Sequence, residues 1–230
     1  LIFEHKELSL EYDNLKTVNK NGKRHYLTPE GNAYPSITTC LSILTKKAIM
    51  EWRQRVGAET ANKISTQAAR RGTKVHLMCE DYLNNELDKD KFLPNEKEMF
   101  GSIQPTIDAH INNIYAQEIA LYSDYLGVAG RVDCIAEWDG KLSVIDFKTS
   151  RRPKQKDKIQ NYFQQASAYC VMFEERTKIP VNQIVILIAV DENEPQVFIE
   201  KRDNYIQDCM ETISRYKEQA NADSNNGTST

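Results

Sequence analysis

Three residues near the middle of the chain carry the clearest chemistry: Asp133, Asp146 and Lys148. They lie in two strand-like runs, Val128 to Trp138 and Lys141 to Phe147, joined by Asp139-Gly140, a dipeptide that favours a two-residue hairpin turn. In that register Trp138 faces Lys141 and Glu137 faces Leu142, and continuing it puts Asp133 opposite Asp146. Counted outward from the turn, this is a non-hydrogen-bonded pair, with Cα atoms about 4.5 Å apart and both side chains on one face. Like charges opposite each other destabilise a sheet, so the pair implies a bound cation or a shared proton. The side-chain period of two adds Lys148 to the face of Asp146. Val132, Cys134, Ala136, Ile145 and Phe147, of the other parity, are expected to face the core together. Two carboxylates suit a hard divalent ion such as Mg2+ or Mn2+, and an ammonium beside them can orient or deprotonate a water and steady a developing phosphorane. That is the chemistry of phosphodiester hydrolysis.

The elements that must position these residues divide the chain in two. From Leu8 to Tyr34 a weak alternation around Asn21-Gly22 suggests a small polar hairpin. Ser36 is placed to cap a helical stretch containing Ile37, Leu41 and Leu44. A longer helix is expected from about Lys47 to Ala69, ending near Arg70-Arg71-Gly72, with Thr73 capping a further helix from Lys74 to Asn84. Asn95 to Ile114 is a fourth helical candidate. After Ala116 come strands at Ile119 to Tyr122, Val128 to Trp138 and Lys141 to Phe147, an antiparallel meander. A helix over Lys158 to Lys178, strands over Gln183 to Val190 and Gln196 to Glu200, and a helix over Asp203 to Ala220 follow. The fold class is therefore α/β (α+β), a central mixed sheet flanked by helices. It reads as one domain over residues 1–220, with a mostly helical N-terminal annex (about 36–114) and a catalytic core (about 115–220). Residues 221–230 are expected to be a disordered tail.

Composition narrows the function classes. The 230 residues include 40% hydrophobic residues, 9 Gly and 7 Pro, which fits a folded domain. With 30 Lys+Arg against 33 Asp+Glu the chain is no polycation, so nucleic-acid contact would need a local basic patch. The longest apolar run, Ile184 to Val190, is far short of the roughly 20 residues of a membrane span. Cys40, Cys79, Cys134, Cys170 and Cys209 have no CxxC or zinc-type spacing and suit buried thiols of a reducing compartment. The expectation is a soluble intracellular protein that is neither secreted nor membrane-bound.

Gly130-Arg131-Val132-Asp133, then Val144-Ile145-Asp146-Phe147-Lys148-Thr149-Ser150, then Gln165-Ala166-Ser167-Ala168-Tyr169, resemble the GxxD, DxK and QxxxY motifs of the PD-(D/E)XK nucleases in their RecB-like exonuclease branch. Gly72-Thr73-Lys74-Val75-His76 resembles that branch's histidine motif, and all four occur in family order. Gly127 to Ser150 is especially similar to mitochondrial genome-maintenance exonucleases and their phage-encoded relatives. The resemblance implies a restriction-endonuclease-like core. It implies that Asp133 and Asp146 bind Mg2+ or Mn2+, with His76 and the Phe147 carbonyl as further ligands, and that Lys148 acts on the attacking water. It also implies that Gln165 and Tyr169 support the site or the DNA backbone. Val132 stands where the family name has proline.

Around these motifs, Glu80 shares a helical face with His76 and is either a supporting partner or an exposed acid. Arg70, Arg71 and Lys74 before His76, and Arg151, Arg152 and Lys154 after the second strand, form basic runs placed to track phosphates. Arg131, Thr149 and Ser150, inside the motifs, join the expected DNA contacts. The activity implied is a metal-dependent DNA exonuclease acting on single strands or frayed ends. A structure-specific endonuclease and a non-catalytic DNA-binding module are the alternatives. Because the sequence has no GxxxxGK[ST] motor motif, a helicase or a replication or recombination protein is the expected partner. Phage-infected cytoplasm and the mitochondrial matrix both suit the reduced chain.

Overall fold

The computed structural model describes residues 2–226. A five-stranded mixed sheet runs in the order β4 (Ile111–Ser123), β5 (Val128–Trp138), β6 (Lys141–Ser150), β7 (Gln183–Val190) and β8 (Gln196–Lys201). The β4-β5-β6 meander is antiparallel, β6 and β7 are parallel, and β8 returns antiparallel. The parallel step needs a crossover, and α5 (Gln160–Thr177) supplies it. α1 (Ile37–Leu41), α5 and α6 (Ile206–Asn226) cover one face of the sheet, where Val132, Ile135, Val144 and Ile186 meet Phe163 and Phe173. The other face packs Cys134, Ala136, Ile145, Phe147 and Leu187 against α3 (Ala58–Leu83) and α4 (Pro94–His110). Both faces of β7 are apolar, as burial on two sides requires.

The N-terminal residues form a second, small antiparallel sheet of β1 (Lys16–Lys20), β2 (Lys23–Leu27) and β3 (Ala33–Pro35), turning at Asn21-Gly22 as expected. Leu15 and Tyr26 press it onto Ala120, Tyr122 and Ala129 of the large sheet. Upstream, the edge of β4 is partly covered, since Lys6 N–H donates to the Ile114 carbonyl at 2.7 Å and Ile114 N–H to Glu4 at 2.8 Å.

The helices of the N-terminal half are divided differently from the sequence pattern. α2 (Lys46–Val56) stops at Gly57, whose φ of 86° is open to glycine at little cost, and α3 then runs unbroken through Gly72-Thr73. Gly72 does not end a helix but lets it come close: a Cβ there would lie 3.6 Å from Thr149 Oγ1 on β6. The helix expected to reach Ile114 ends at His110, and the weak helix formers Ile111, Asn112, Asn113 and Ile114 start β4 instead. At the C-terminus α6 extends to Asn226, so residues 221–226 of the expected tail are helical, growing from a helix already docked through Cys209, Ile213 and Tyr216. Residues 227–230 of that stretch lie outside the described residues. No described helix is long and apolar enough to cross a membrane.

Candidate metal centre

The hairpin register holds from Trp138↔Lys141 to Cys134↔Ile145 and stops there. Asp133 and Asp146 sit just past the last ladder pair rather than within it, because β6 continues alongside β7 while β5 follows β4. Strand alternation breaks at this level. Val132 and Ile135, three apart, both face the α5 layer, whereas Cys134 and Ala136 face α3 and α4. The apolar set expected on one face is therefore split, with Val132 on the far side from Cys134, Ala136, Ile145 and Phe147. β4 breaks at the same level: Gln117↔Cys134 and Ile119↔Val132 are paired, and between them Glu118, opposite Asp133, has a φ of 48°. A non-glycine residue in that left-handed region costs on the order of 1 kcal/mol or more, and such strain clusters where side chains must be re-aimed.

Two side chains stand in for the disrupted ladder. Asp133 Oδ2 accepts the Phe147 N–H at 2.9 Å, and Arg131 Nη1 donates to the Glu118 carbonyl. Arg131 Nη2 also donates to Asn14 Oδ1 at 3.2 Å, which ties the N-terminal segment to the site.

Around the break the polar groups converge. His76 is brought in by α3, whose Val75, Met78 and Cys79 are buried against the sheet, and its Nδ1 lies 3.5 Å from Asp133 Oδ2. His76, Glu118 and Asp133 each offer a ligand atom, all within 4.8 Å of one another. Burial raises the Glu118 carboxyl to about 7, with Asp133 and Glu80 pushing the same way against Arg131. Asp146, on the other side of Asp133, is 1% exposed, and its Oδ1 has no hydrogen-bond partner among the described residues. Burial lifts its carboxyl to about 6 even though Lys148 Nζ, 2.5 Å from Oδ2, pulls it down. Burial alone would lower the Lys148 ammonium, but Asp146 and Asp133 outweigh it and the net shift is upward.

This donor set fits a hard divalent cation. The Asp146 oxygen without a partner is costly unless a cation meets it, and the carboxylates of Asp133 and Glu118 are oxygen donors such an ion takes, with the His76 imidazole leaning the set toward Mn2+.

The remaining residues singled out in the sequence fall into three groups. Glu80 lines the cleft with Gly72, Thr73, His76, Leu77 and Glu118. Tyr169 is buried, and a Cβ at Gly130 would come within 2.8 Å of its hydroxyl, so the glycine of GxxD on β5 and the tyrosine of QxxxY on α5 are packing partners between sheet and helix. Gln165 lies beside that hydroxyl. Ser150 is buried, its Oγ donating to the Arg152 carbonyl at 2.7 Å. Thr149 packs toward Gly72.

The basic residues are spread more widely. Arg71 is ion-paired with Asp191 at 2.7 Å, and with Arg151 and Arg152 it lines a polar cavity of about 1000 Å³ that also holds Asp191, Glu192 and Glu194. Lys154 is fixed through its backbone, its N–H donating to Gln196 Oε1 at 2.6 Å. Lys74 Nζ lies 5.8 Å from the Phe92 ring centroid, away from the carboxylates, and Arg70 is exposed.

The sequence pattern did not point to Glu118 or to Tyr162, whose ring centroid is 5.2 Å from Lys148 Nζ. A register count across β4 and β5 is the one signal that reaches Glu118.

A family model for the PD-(D/E)XK nuclease superfamily matches residues 95–225. Mitochondrial genome maintenance exonuclease 1 of Homo sapiens is 30% identical over 132 residues, covering 54% of this chain and 38% of that protein. Its Xenopus tropicalis counterpart is 27% identical over 151 residues, covering 63% and 44%. The chain thus spans less than half the length of these curated relatives. A crystal structure from Eubacterium rectale is 14% identical over 65% of each chain, with a TM-score of 0.46, too low to bear an argument. The family match covers more than half of the sequence and includes the GxxD, DxK and QxxxY segments, and on that ground the chain belongs to the PD-(D/E)XK nuclease superfamily.

Proposed function

We propose that this chain is a metal-dependent DNA exonuclease that takes single strands or frayed ends. The observation that carries the reading is the convergence of Asp133, Asp146, Lys148 and His76 at one break in the sheet, with an unpartnered carboxylate oxygen among them. Asp133, Asp146 and His76 would hold Mg2+ or Mn2+, with the Phe147 carbonyl and Glu118 as further donors. Such an ion supplies charge neutralisation at the phosphodiester and acidifies a water. Asp133 accepts the Phe147 amide and so keeps the strands at a fixed separation. Lys148 is held as an ammonium by two carboxylates, which suits it to donate to a phosphate oxygen or orient the water rather than to take its proton.

The distribution of charge favours a polyanionic substrate. Residues 14–74 carry twelve Lys+Arg against three Asp+Glu in a chain of net charge −3. Arg131, exposed one pleat from Asp133, and Arg151 and Arg152 extend that basic surface toward the site. Single strands and frayed ends arise where duplexes are opened, so a helicase or a replication or recombination protein is the partner this reading proposes. The five buried free cysteines suit a reducing compartment, phage-infected cytoplasm or mitochondrial matrix.

The test follows 5′-labelled and 3′-labelled single-stranded DNA, each beside its duplex and a closed circle, with Mg2+, Mn2+ or EDTA. Linear strands should shorten only with metal while circles survive, and the labelled products give the polarity. Cut circles would make the enzyme an endonuclease, and DNA bound but uncut with metal present would make it a binding module.

A further inference from the structure

The Lys148 ammonium has two neighbours of opposite character. One is the Asp146 carboxylate at 2.5 Å. The other is the face of the Tyr162 ring, with Nζ 5.2 Å from the centroid, within the range of a cation–π contact. Tyr162 stands in the first turn of α5, half-buried against the α5 layer, and its hydroxyl bonds to no described residue. The ring's face, not its hydroxyl, is therefore what it offers. A lysine side chain loses much rotamer freedom when fixed in one place, and a single carboxylate partner is a weak tether where that carboxylate is itself wanted as a ligand. The ring's quadrupole does not compete for that role.

We propose that Tyr162 is a positioning residue that holds the Lys148 ammonium over the centre through its ring face. This rests on the nuclease reading above. The groups facing the ammonium are Asp146, Asp133 and Tyr162, so the ring is its one uncharged neighbour among them.

The experiment compares Tyr162→Phe and Tyr162→Leu, alone and with Lys148→Ala, on labelled single-stranded DNA. It also records melting temperatures and the NMR signals of the Lys148 ε-methylene. Phenylalanine should keep kcat within about twofold, and leucine should lower it roughly tenfold at unchanged KM and similar melting temperature. In the Lys148→Ala background leucine should cost nothing further. The ε-methylene protons should be shifted upfield by the ring in the wild type and Tyr162→Phe, and should relax in Tyr162→Leu. Full kcat in Tyr162→Leu, or ε signals indifferent to the ring, would overturn the proposal. A wild type that cuts no DNA would instead overturn the nuclease reading, and the ε signals, which do not depend on turnover, would then decide the contact by themselves.

Discussion

Residues 14–74 and residues 95–225 are built on opposite terms. The first stretch has twelve Lys+Arg against three Asp+Glu; the second, the part that the family model matches, has fifteen against twenty-one. The second stretch supplies the whole five-stranded sheet and most of both large apolar clusters. In the first, α2 buries no side chain, and the part of α3 before Val75 buries only Ala61. Those helices gain little from the hydrophobic effect, the usual source of helix stability in a domain. The lesson is a division of labour: the acidic stretch holds the carboxylates but repels a polyanion, and the attraction has to come from the basic stretch.

The largest effect expected is on the acidic side. Asp146→Asn should lower DNA hydrolysis on the order of a thousandfold. It should also raise stability near neutral pH by relieving the burial of a carboxylate, less what the Lys148 ammonium loses as its partner. The sign follows from the raised carboxyl. With a folded value of about 6, the folded chain binds that proton more tightly than the unfolded one, so stability falls as pH rises through about 6. The Asn variant should lack that slope in melting experiments across pH 4 to 7. Asp133→Ala should be as inactive but less stable, by roughly 1–3 kcal/mol, because it strips the Phe147 amide of its acceptor. If both variants moved stability in the same direction, the distinction between a ligand and a strand clamp would be lost.

On the basic side, replacing Lys46, Lys47, Arg55 and Lys63 with Gln should weaken binding to long single strands and flatten its salt dependence by up to about 0.7 per lost contact. These exposed positions should leave the melting temperature nearly unchanged. An unaltered salt slope would break the proposed division. The smallest effect concerns the seam itself. Glu118→Gly should relieve about 1 kcal/mol of backbone strain and yet reduce the melting shift that added Mn2+ produces, a trade readable by calorimetry.

Legibility in the sequence followed how rigidly local rules fix geometry. Asp133, Asp146 and Lys148 could be brought together because a two-residue turn at Asp139-Gly140 sets the hairpin register up to Cys134↔Ile145, one residue short of the two acids. Glu118 could not. β4 and β5 are joined by the longer loop 124–127, whose length does not dictate a register as a two-residue turn does, although the pairing that starts at Ser123↔Val128 runs unshifted to Gln117↔Cys134. Gly72 and Gly57 exchanged roles for a similar reason. A glycine after two arginines looks like a helix end, and only the approach of Thr149 shows that it is a contact point. Tyr162 stands beside Asn161, Gln164 and Gln165 in a helix turn with no motif of its own, and its position over Lys148 depends on a strand that is not adjacent in sequence.

The paired break at Glu118 and Asp133 bears on how the sheet breathes. The parallel β6–β7 ladder runs past it without interruption, so those amides should exchange with solvent only when the domain opens as a whole. At the break, the Phe147 amide and the Glu118 carbonyl depend on two side chains, one of them the exposed Arg131. A deuterium-exchange map should therefore show fast exchange along the row of acids beside the slow amides of β7. The place where charge is gathered would then be the most compliant part of the molecule's most rigid element.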